Sequence, residues 1–124
     1  MQVVSESEQR TTVTPAGSMF GLAAPSQGST EVSTWRVELG ADSATPVHII
    51  DREQIWTLLS GEFEVEVEGR TRHAEAGQAI IVPGGAVRRL KTVGGPAQAL
   101  VAMVVGGKAM MPGSEDKIPL PWAE

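Results

Sequence analysis

A lone histidine opens the segment of this chain in which side chains suited to chemistry are most concentrated, HIIDREQIWTLLSG. His48 carries an imidazole whose pKa is ordinarily near neutrality, so it can give or take a proton at physiological pH. Alternation along a strand puts His48 and Ile50 on one side of the first half of the segment, and Gln54 and Trp56 on one side of the second. The segment therefore offers one reactive group among apolar and amide side chains.

A later segment adds a permanent cation, Arg88. An arginine can stabilise a carboxylate, an enolate or a phenolate. Gln54 can orient either charged group by hydrogen bonds, and Trp56 can stack against a planar ligand. An apolar wall at Ile50 beside a few polar groups is the usual form of a small-molecule site. The candidate catalytic residues are therefore His48 and Arg88, and the candidate ligand-binding residues are Ile50, Gln54 and Trp56.

Each of these side chains also has a purely structural interpretation. A single histidine in a β-barrel is often only a hydrogen-bonded structural group, and a tryptophan such as Trp56 commonly belongs to a core because of the area that it buries. Arg88 is followed by Arg89, and alternation allows only one of them to face inward. If a bulge shifted the register, both arginines would lie at the rim of the barrel and form only a basic surface there. The sequence leaves both interpretations open.

The composition limits the class of protein. The chain has 124 residues, which favours one domain with one core. It has no cysteine, as is typical of a reducing compartment, and its net charge of −5 argues against a nucleic-acid partner. No signal peptide is visible, and no apolar run approaches the ~18 residues that cross a bilayer. We therefore expect a soluble, cytoplasmic protein that has no membrane partner.

Short strands must position the candidate residues, because glycine and proline interrupt the chain throughout and valine is abundant. In TEVSTWRVEL, alternation predicts that Trp35, Val37 and Leu39 face the core. Regular spacing of about eight to ten such strands indicates an all-β sandwich or barrel.

The core strands are predicted at residues 30–39, 47–50, 54–59, 62–68, 71–73, 78–82, 87–92 and 97–105. Residues 1–29 are expected to form an arm and edge strands, 30–105 the barrel, and 106–124 a tail that packs on it.

Two segments resemble the motifs of the cupin superfamily, whose fold is a double-stranded jelly-roll barrel. The first family motif is G-x5-H-x-H-x3,4-E-x6-G. Six residues separate Gln54 from Gly61, so Gln54 occupies the position of the family's glutamate. By the same register His48 occupies the first histidine position, and Ile50 occupies the second. Gly40 is a plausible first glycine, although seven residues rather than five separate it from His48.

The second family motif is G-x5-P-x-G-x2-H-x3-N. Gly77, Pro83 and Gly85 match it with the family's spacing, while Arg88 occupies the histidine position and Thr92 the asparagine position. The resemblance covers roughly residues 30–105. It implies a cupin-type jelly-roll barrel in which the candidate residues share one inward-facing surface. One fold hosts many functions, so the resemblance specifies the fold more firmly than the activity.

The resemblance also implies a metal site with four ligands, which this chain has largely lost. A stable site needs about three or four nitrogen, oxygen or sulfur ligands. Here His48 is one good ligand and Gln54 a weak one, Ile50 has no donor atom, and Arg88 would repel a cation. We therefore expect a degenerate site with no bound metal and no other cofactor.

Three functions remain open from the sequence. The first is a metal-independent isomerase, cyclase or lyase that uses His48 for proton transfer and Arg88 to stabilise an anion. The second is a metal-dependent, dioxygenase-like enzyme with a remodelled site. The third is a non-catalytic ligand-binding or structural cupin. The predicted ligand is a small molecule, anionic or aromatic.

Small cupins often pair through N-terminal strands and a sheet face, so the resemblance also implies a homodimer. The apolar residues of two segments outside the core strands are the candidate contacts. They are Met19, Phe20, Leu22, Ile118, Leu120 and Trp122.

Overall fold

Strands whose side chains alternate between core and solvent make up most of the molecule, which is described over all of residues 1–124 by a computed structural model. The strands are joined by tight turns and three single turns of 3₁₀ helix at Glu8–Arg10, Pro25–Gln27 and Pro121–Ala123. The strands are β1 (Thr11–Val13), β2 (Gly17–Gly21), β3 (Val32–Leu39), β4 (His48–Ile50), β5 (Gln54–Ser60), β6 (Glu62–Val67), β7 (Arg70–Glu75), β8 (Ala79–Val82), β9 (Val87–Thr92), β10 (Ala97–Val104), β11 (Lys108–Met110) and β12 (Ile118–Pro119).

The strands form two six-stranded antiparallel sheets. The order in sheet A is β1-β2-β3-β10-β5-β8, and in sheet B it is β12-β11-β4-β9-β6-β7. From β3 to β10 the chain passes repeatedly between the two sheets, as in a jelly roll, and only the hairpin of β6 and β7 stays within one sheet. The predicted all-β, jelly-roll fold is confirmed.

The core lies between the inner faces of the two sheets. Trp35, Val37 and Leu39 point inward from β3, as their alternation predicted, and each is at most 2% exposed. Phe63 faces them from β6 in sheet B, with its ring edge-on to Trp56 at a centroid distance of 6.0 Å. Burial of such large apolar side chains is the main force that holds two sheets together.

The predicted core strands agree with the structure to within about two residues at each end. The C-terminal tail differs, because the sequence predicted no strands beyond position 105. Its strand β11 pairs with β4, so that Ala109 lies opposite Ile50. Asp51 reinforces this pairing: its carboxylate accepts a hydrogen bond from the backbone of Lys108 and forms an ion pair with Lys117. The tail thereby extends sheet B beside the strand that carries His48.

None of the helical segments is long and apolar enough to cross a membrane.

Two glycines with the same backbone conformation give a matched test of the fold. Gly61 and Gly69 have φ angles of +76° and +77°. A Cβ atom on Gly61 would lie 2.7 Å from the Cα of Ala97, whereas one on Gly69 would meet nothing. We expect Gly61→Ala to lower the free energy of unfolding by about 1–3 kcal/mol more than Gly69→Ala, because only Gly61 adds a steric overlap to the shared backbone strain. Urea unfolding measures both, and equal losses would refute the expectation.

Candidate functional site

A cavity of about 950 Å³ opens at one end of the barrel, beside β4. One wall comes from sheet A, through Trp35 and Trp56, and a second comes from β4, through His48 and Ile50. The remaining walls come from the turn between β1 and β2, from residues 44–47 before β4, and from residues 109, 111 and 118–122 of the tail. The pairing of β11 with β4 therefore determines where the tail closes this cavity.

His48 is half-buried on the wall, and its tautomer follows from one hydrogen bond. Its Nδ1 lies 2.7 Å from the carbonyl oxygen of Pro46. A carbonyl only accepts hydrogen bonds, so Nδ1 carries the proton and Nε2 keeps its lone pair. Burial lowers the pKa of His48, the bond to Pro46 opposes that effect, and the charge of Arg88 adds to the lowering. The result is a neutral imidazole with a free basic nitrogen.

Gln54 lies at the centre of a buried hydrogen-bond network. Its Oε1 accepts from Nε1 of Trp56 at 3.2 Å and from Nη1 of Arg88 at 3.4 Å. Two donors converge on this atom, which fixes it as the amide oxygen. The amide nitrogen is left with one weak contact, to the Sδ of Met103 at 3.7 Å. Gln54 therefore has donor capacity left for a ligand.

Arg88 is a buried cation without a counter-ion. It is 1% exposed, and it takes part in no ion pair of the molecule. Besides Gln54, its guanidinium donates only to the carbonyl oxygens of Ala86, at 3.0 Å, and Pro83, at 2.7 Å. Burial lowers its pKa to about 10, so it stays charged at neutral pH. An unneutralised buried charge is costly, and its field acts strongly on its surroundings.

The structure brings the five candidate residues together, although not all of them reach the cavity. His48, Ile50, Gln54 and Trp56 line it. Arg88 lies directly across from His48 in the pairing of β4 with β9, which places the two Cβ atoms roughly 5 Å apart. Its guanidinium is covered by Gln54 and the turn before β9, so it borders the cavity from behind.

Some residues of the site were not predicted. Trp35 was assigned only to the core, and Trp122 to a dimer contact, yet both line the cavity. Arg89 is exposed and lines the mouth. The apolar run IPLPW in the tail was the available signal for Trp122, but its prolines gave no alternation that could assign it to a face.

The donor atoms around His48 do not fit the metal site of the family. Ile50 presents only carbon, the oxygen of Gln54 is already engaged by two donors, and Arg88 holds a positive charge there. No group of three or more His, Cys, Asp or Glu side chains is placed to hold a metal ion.

The other acidic and imidazole side chains that could replace the missing metal ligands do not point toward His48. Asp51 faces Lys108 and Lys117, and Glu53 is exposed. His73 lies on the outer face of β7, with Nδ1 3.0 Å from a carboxylate oxygen of Glu62.

Comparison with known proteins agrees with the fold. The family model described as a cupin domain matches residues 33–104. No curated protein matches the chain significantly.

Three solved structures illustrate the range of similar proteins. The polyketide cyclase RemF from Streptomyces resistomycificus is 22% identical over 91% of this chain and 83% of its own, with a TM-score of 0.73. An RmlC-like cupin from Shewanella frigidimarina is 16% identical over 83% and 94%, with a TM-score of 0.65. The DMSP lyase DddQ from Ruegeria pomeroyi DSS-3 is 25% identical over 71% and 46%, with a TM-score of 0.63.

The state of His48 can be measured directly, because the chain has only two histidines. In a His73→Gln variant, NMR titration of the remaining imidazole should give a pKa below the usual 6.5, since burial and Arg88 disfavour the cation. At pH 7 the long-range ¹H–¹⁵N spectrum should show the proton on Nδ1. Because the unfolded chain takes up its proton first, His48 should stabilise the fold above about pH 6.5 and lose that contribution as the pH falls. A pKa above 6.5, or a proton on Nε2, would contradict the geometry.

Proposed function

The chain belongs to the cupin family, and from that premise we propose that it is a small-molecule enzyme of the isomerase, cyclase or lyase type that works without a metal ion. His48 is the proton-transfer group in this proposal. Gln54 and Arg88 together stabilise the negative charge that forms on the substrate. The cupin fold is shared by a polyketide cyclase and a DMSP lyase, so ring closure and elimination are both within the range of chemistry seen on it.

The buried charge of Arg88 is the observation that carries the proposal. A guanidinium that is 1% exposed and lacks a carboxylate partner is costly to keep. The cost is offset when an anion forms in the adjacent cavity, where no other charge screens it. A site arranged in this way favours a transition state that is more negative than the substrate.

The hydrogen bonds assign separate roles to the three polar side chains. The free Nε2 of His48 removes a proton from a carbon next to a carbonyl group and returns it at another position, or takes it from a hydroxyl group during ring closure. The amide nitrogen of Gln54 donates to the oxygen on which the charge develops. Arg88 does not touch the substrate; it holds Gln54 by its oxygen and polarises the amide toward donation.

A ligand-binding protein without catalysis is the second candidate function. Each of the three guanidinium nitrogens of Arg88 already donates to an acceptor, in Ala86, Gln54 or Pro83, as in a network that only stabilises the barrel. The experiment below separates the two candidates.

Proton exchange tests the enzyme without knowledge of the natural substrate. In D₂O, the wild-type protein should accelerate deuterium incorporation next to the carbonyl of 1-tetralone, measured by ¹H NMR. His48→Gln should lose about 10²–10⁴-fold of that acceleration, because a general base contributes this much. Gln54→Leu should lose about 10–10³-fold, since it removes an oxyanion donor.

The controls address folding and metals. His73→Gln changes the histidine outside the cavity and should leave the exchange rate unchanged. EDTA should not slow exchange, and the metal content by plasma mass spectrometry should be far below one ion per chain. Stoichiometric metal that is lost in His48→Gln would favour the metal-dependent alternative, whereas ligand binding without exchange would favour the non-catalytic one.

We also propose that the protein is a homodimer, and that its interface is a sheet face rather than the two apolar segments named above. Met19 and Trp122 line the cavity, Leu120 is buried, and the ring of Phe20 packs under Arg36. These residues are occupied within one chain. The outer face of β5, β8 and β10 carries no charged side chain, unlike the outer face of sheet B.

Large apolar side chains are exposed on this outer face. Ile81 is 66% exposed and Leu59 is 50% exposed, and Ile55 and Leu100 extend the same surface. Together with the alanines and threonine between them, these residues form an exposed apolar patch of the kind that marks a protein–protein contact. A second copy of the chain, which presents the same uncharged face, fits this surface.

Sedimentation analysis tests the dimer. The wild-type protein should have twice the mass of one 13.1 kDa chain, and Ile81→Glu should be monomeric, because burying a charge without a partner is costly. Thr71→Glu, which adds the same charge to the outer face of sheet B, should remain dimeric. A dimer that survives Ile81→Glu would place the interface elsewhere.

A further inference from the structure

All three tryptophans of the chain meet at one cavity. The chain has three tryptophans, two phenylalanines and no tyrosine. Trp35 comes from β3, Trp56 from β5 and Trp122 from the 3₁₀ turn at the end of the tail, and each lines the cavity. In a chain with so few aromatic residues, this grouping adds three aromatic side chains to cavity walls that are otherwise mainly aliphatic. Such walls favour flat, unsaturated ligands over aliphatic ones.

The cavity also excludes negative side chains. The chain has 15 Asp and Glu residues against 10 Lys and Arg residues, yet no aspartate or glutamate lines the cavity. The only ionisable residues on its walls are His48 and Arg89, and the guanidinium of Arg88 lies just behind Gln54. The local potential is therefore positive within an acidic protein, which favours anionic or acidic ligands and disfavours cations.

The polar atoms are complementary to a hydroxyl group attached to an unsaturated ring. The free Nε2 of His48 can accept the hydroxyl hydrogen, and the amide nitrogen of Gln54 can donate to an oxygen.

The size of the cavity sets the size of the ligand. A volume of about 950 Å³ is near the upper end of the range for drug-sized ligands. A two- to four-ring molecule fits this space, and a two-carbon or three-carbon acid would leave most of it empty.

We propose that the natural substrate is a flat, multi-ring aromatic molecule with an acidic phenol or enol hydroxyl, whose rings lie among the three tryptophans and whose hydroxyl meets His48 and Gln54. This substrate class rests on the proposed function, since it uses the same site. It goes further by naming the tail, through Trp122, as a determinant of specificity.

Ligand binding tests the substrate class, and the protein supplies its own probe. Because every tryptophan lines the cavity, a ligand that enters it should quench the intrinsic fluorescence, and calorimetry then gives the affinity. The probes are 1-hydroxy-2-naphthoate and 1,8-dihydroxyanthraquinone, compared with decanoate, oxalate and the cation 1-naphthylmethylammonium. Both hydroxyaromatic probes should bind at least about tenfold more tightly than the other three, as expected for aromatic contacts worth roughly 1.4 kcal/mol.

Two aromatic variants give a matched pair. Trp122→Leu should weaken binding of 1,8-dihydroxyanthraquinone by about fivefold, since it removes one of the three aromatic side chains that line the cavity. Phe20→Leu changes an aromatic residue that packs on Arg36 outside the cavity and should leave binding unchanged. Thermal unfolding of both variants checks that the fold is retained. Equal losses in the two variants, or no loss in Trp122→Leu, would overturn the role of the tail.

The outcomes separate the substrate class from the proposed activity. If decanoate or the naphthyl cation binds as tightly as the hydroxyaromatic probes, the substrate class is wrong, whatever the exchange experiment shows. If the hydroxyaromatic probes bind as expected but 1-tetralone does not exchange, the ligand class holds and the enzymatic proposal fails. His48→Gln should weaken binding of the hydroxyaromatic probes but not binding of 1-tetralone, because 1-tetralone has no hydroxyl group that could donate a hydrogen bond to Nε2.

Discussion

The guanidinium of Arg88 connects the parts of the barrel on which the site depends. Arg88 belongs to sheet B, and through Gln54 it bonds to sheet A. Its other two bonds hold the carbonyl oxygens of Pro83 and Ala86, in the turn that carries the chain from β8 in one sheet to β9 in the other. Removing this side chain would therefore loosen the crossing turn and leave Gln54 without one of the two donors that fix its amide. The same group supplies structure and charge, which explains why a buried, unpaired cation is retained despite its cost.

The charged side chains are distributed unevenly between the outer faces of the sheets and the interior of the barrel. Ion-paired carboxylates lie on outer faces of both sheets. On sheet B, Glu62 and Glu64 pair with His73 and Lys91, and on β3 of sheet A, Glu38 pairs with Arg36. The inner face holds no carboxylate, so nothing within the barrel neutralises Arg88. The outer face of β5, β8 and β10 has no charge at all. The charged outer surfaces therefore stay hydrated, the interior carries an isolated positive charge, and the uncharged face of β5, β8 and β10 is suited to contact with another protein chain.

The strands and the inward-facing residues could be predicted from the sequence because a strand has a period of two and the motif glycines set the register. This reasoning placed Gln54, Trp56 and Arg88 together. It could not show that Arg88 would lie behind Gln54 rather than in the cavity wall, since that depends on side-chain rotamers and on the carbonyls of the crossing turn. The tail was also beyond prediction: the alternating prolines of IPLPW remove backbone donors, and its place is set by the pairing of β11 with β4. The position of Trp122 in the cavity wall could therefore be learned only from the structure.

The replacements at the family's motif positions are consistent with one another. A glutamate at position 54 would pair with Arg88 and cancel its charge, whereas the amide of Gln54 accepts a hydrogen bond from Arg88 and leaves that charge in place. A histidine at position 50 would add a polar group to a wall that is 2% exposed, and the field of Arg88 would hold it neutral. Ile50, Gln54 and Arg88 thus form a compatible set, because neither the amide at position 54 nor the apolar side chain at position 50 neutralises the charge of Arg88. A metal would require all three to change, and the present set instead leaves His48 as a neutral base beside an unneutralised cation, the arrangement that proton transfer to and from an anionic intermediate requires.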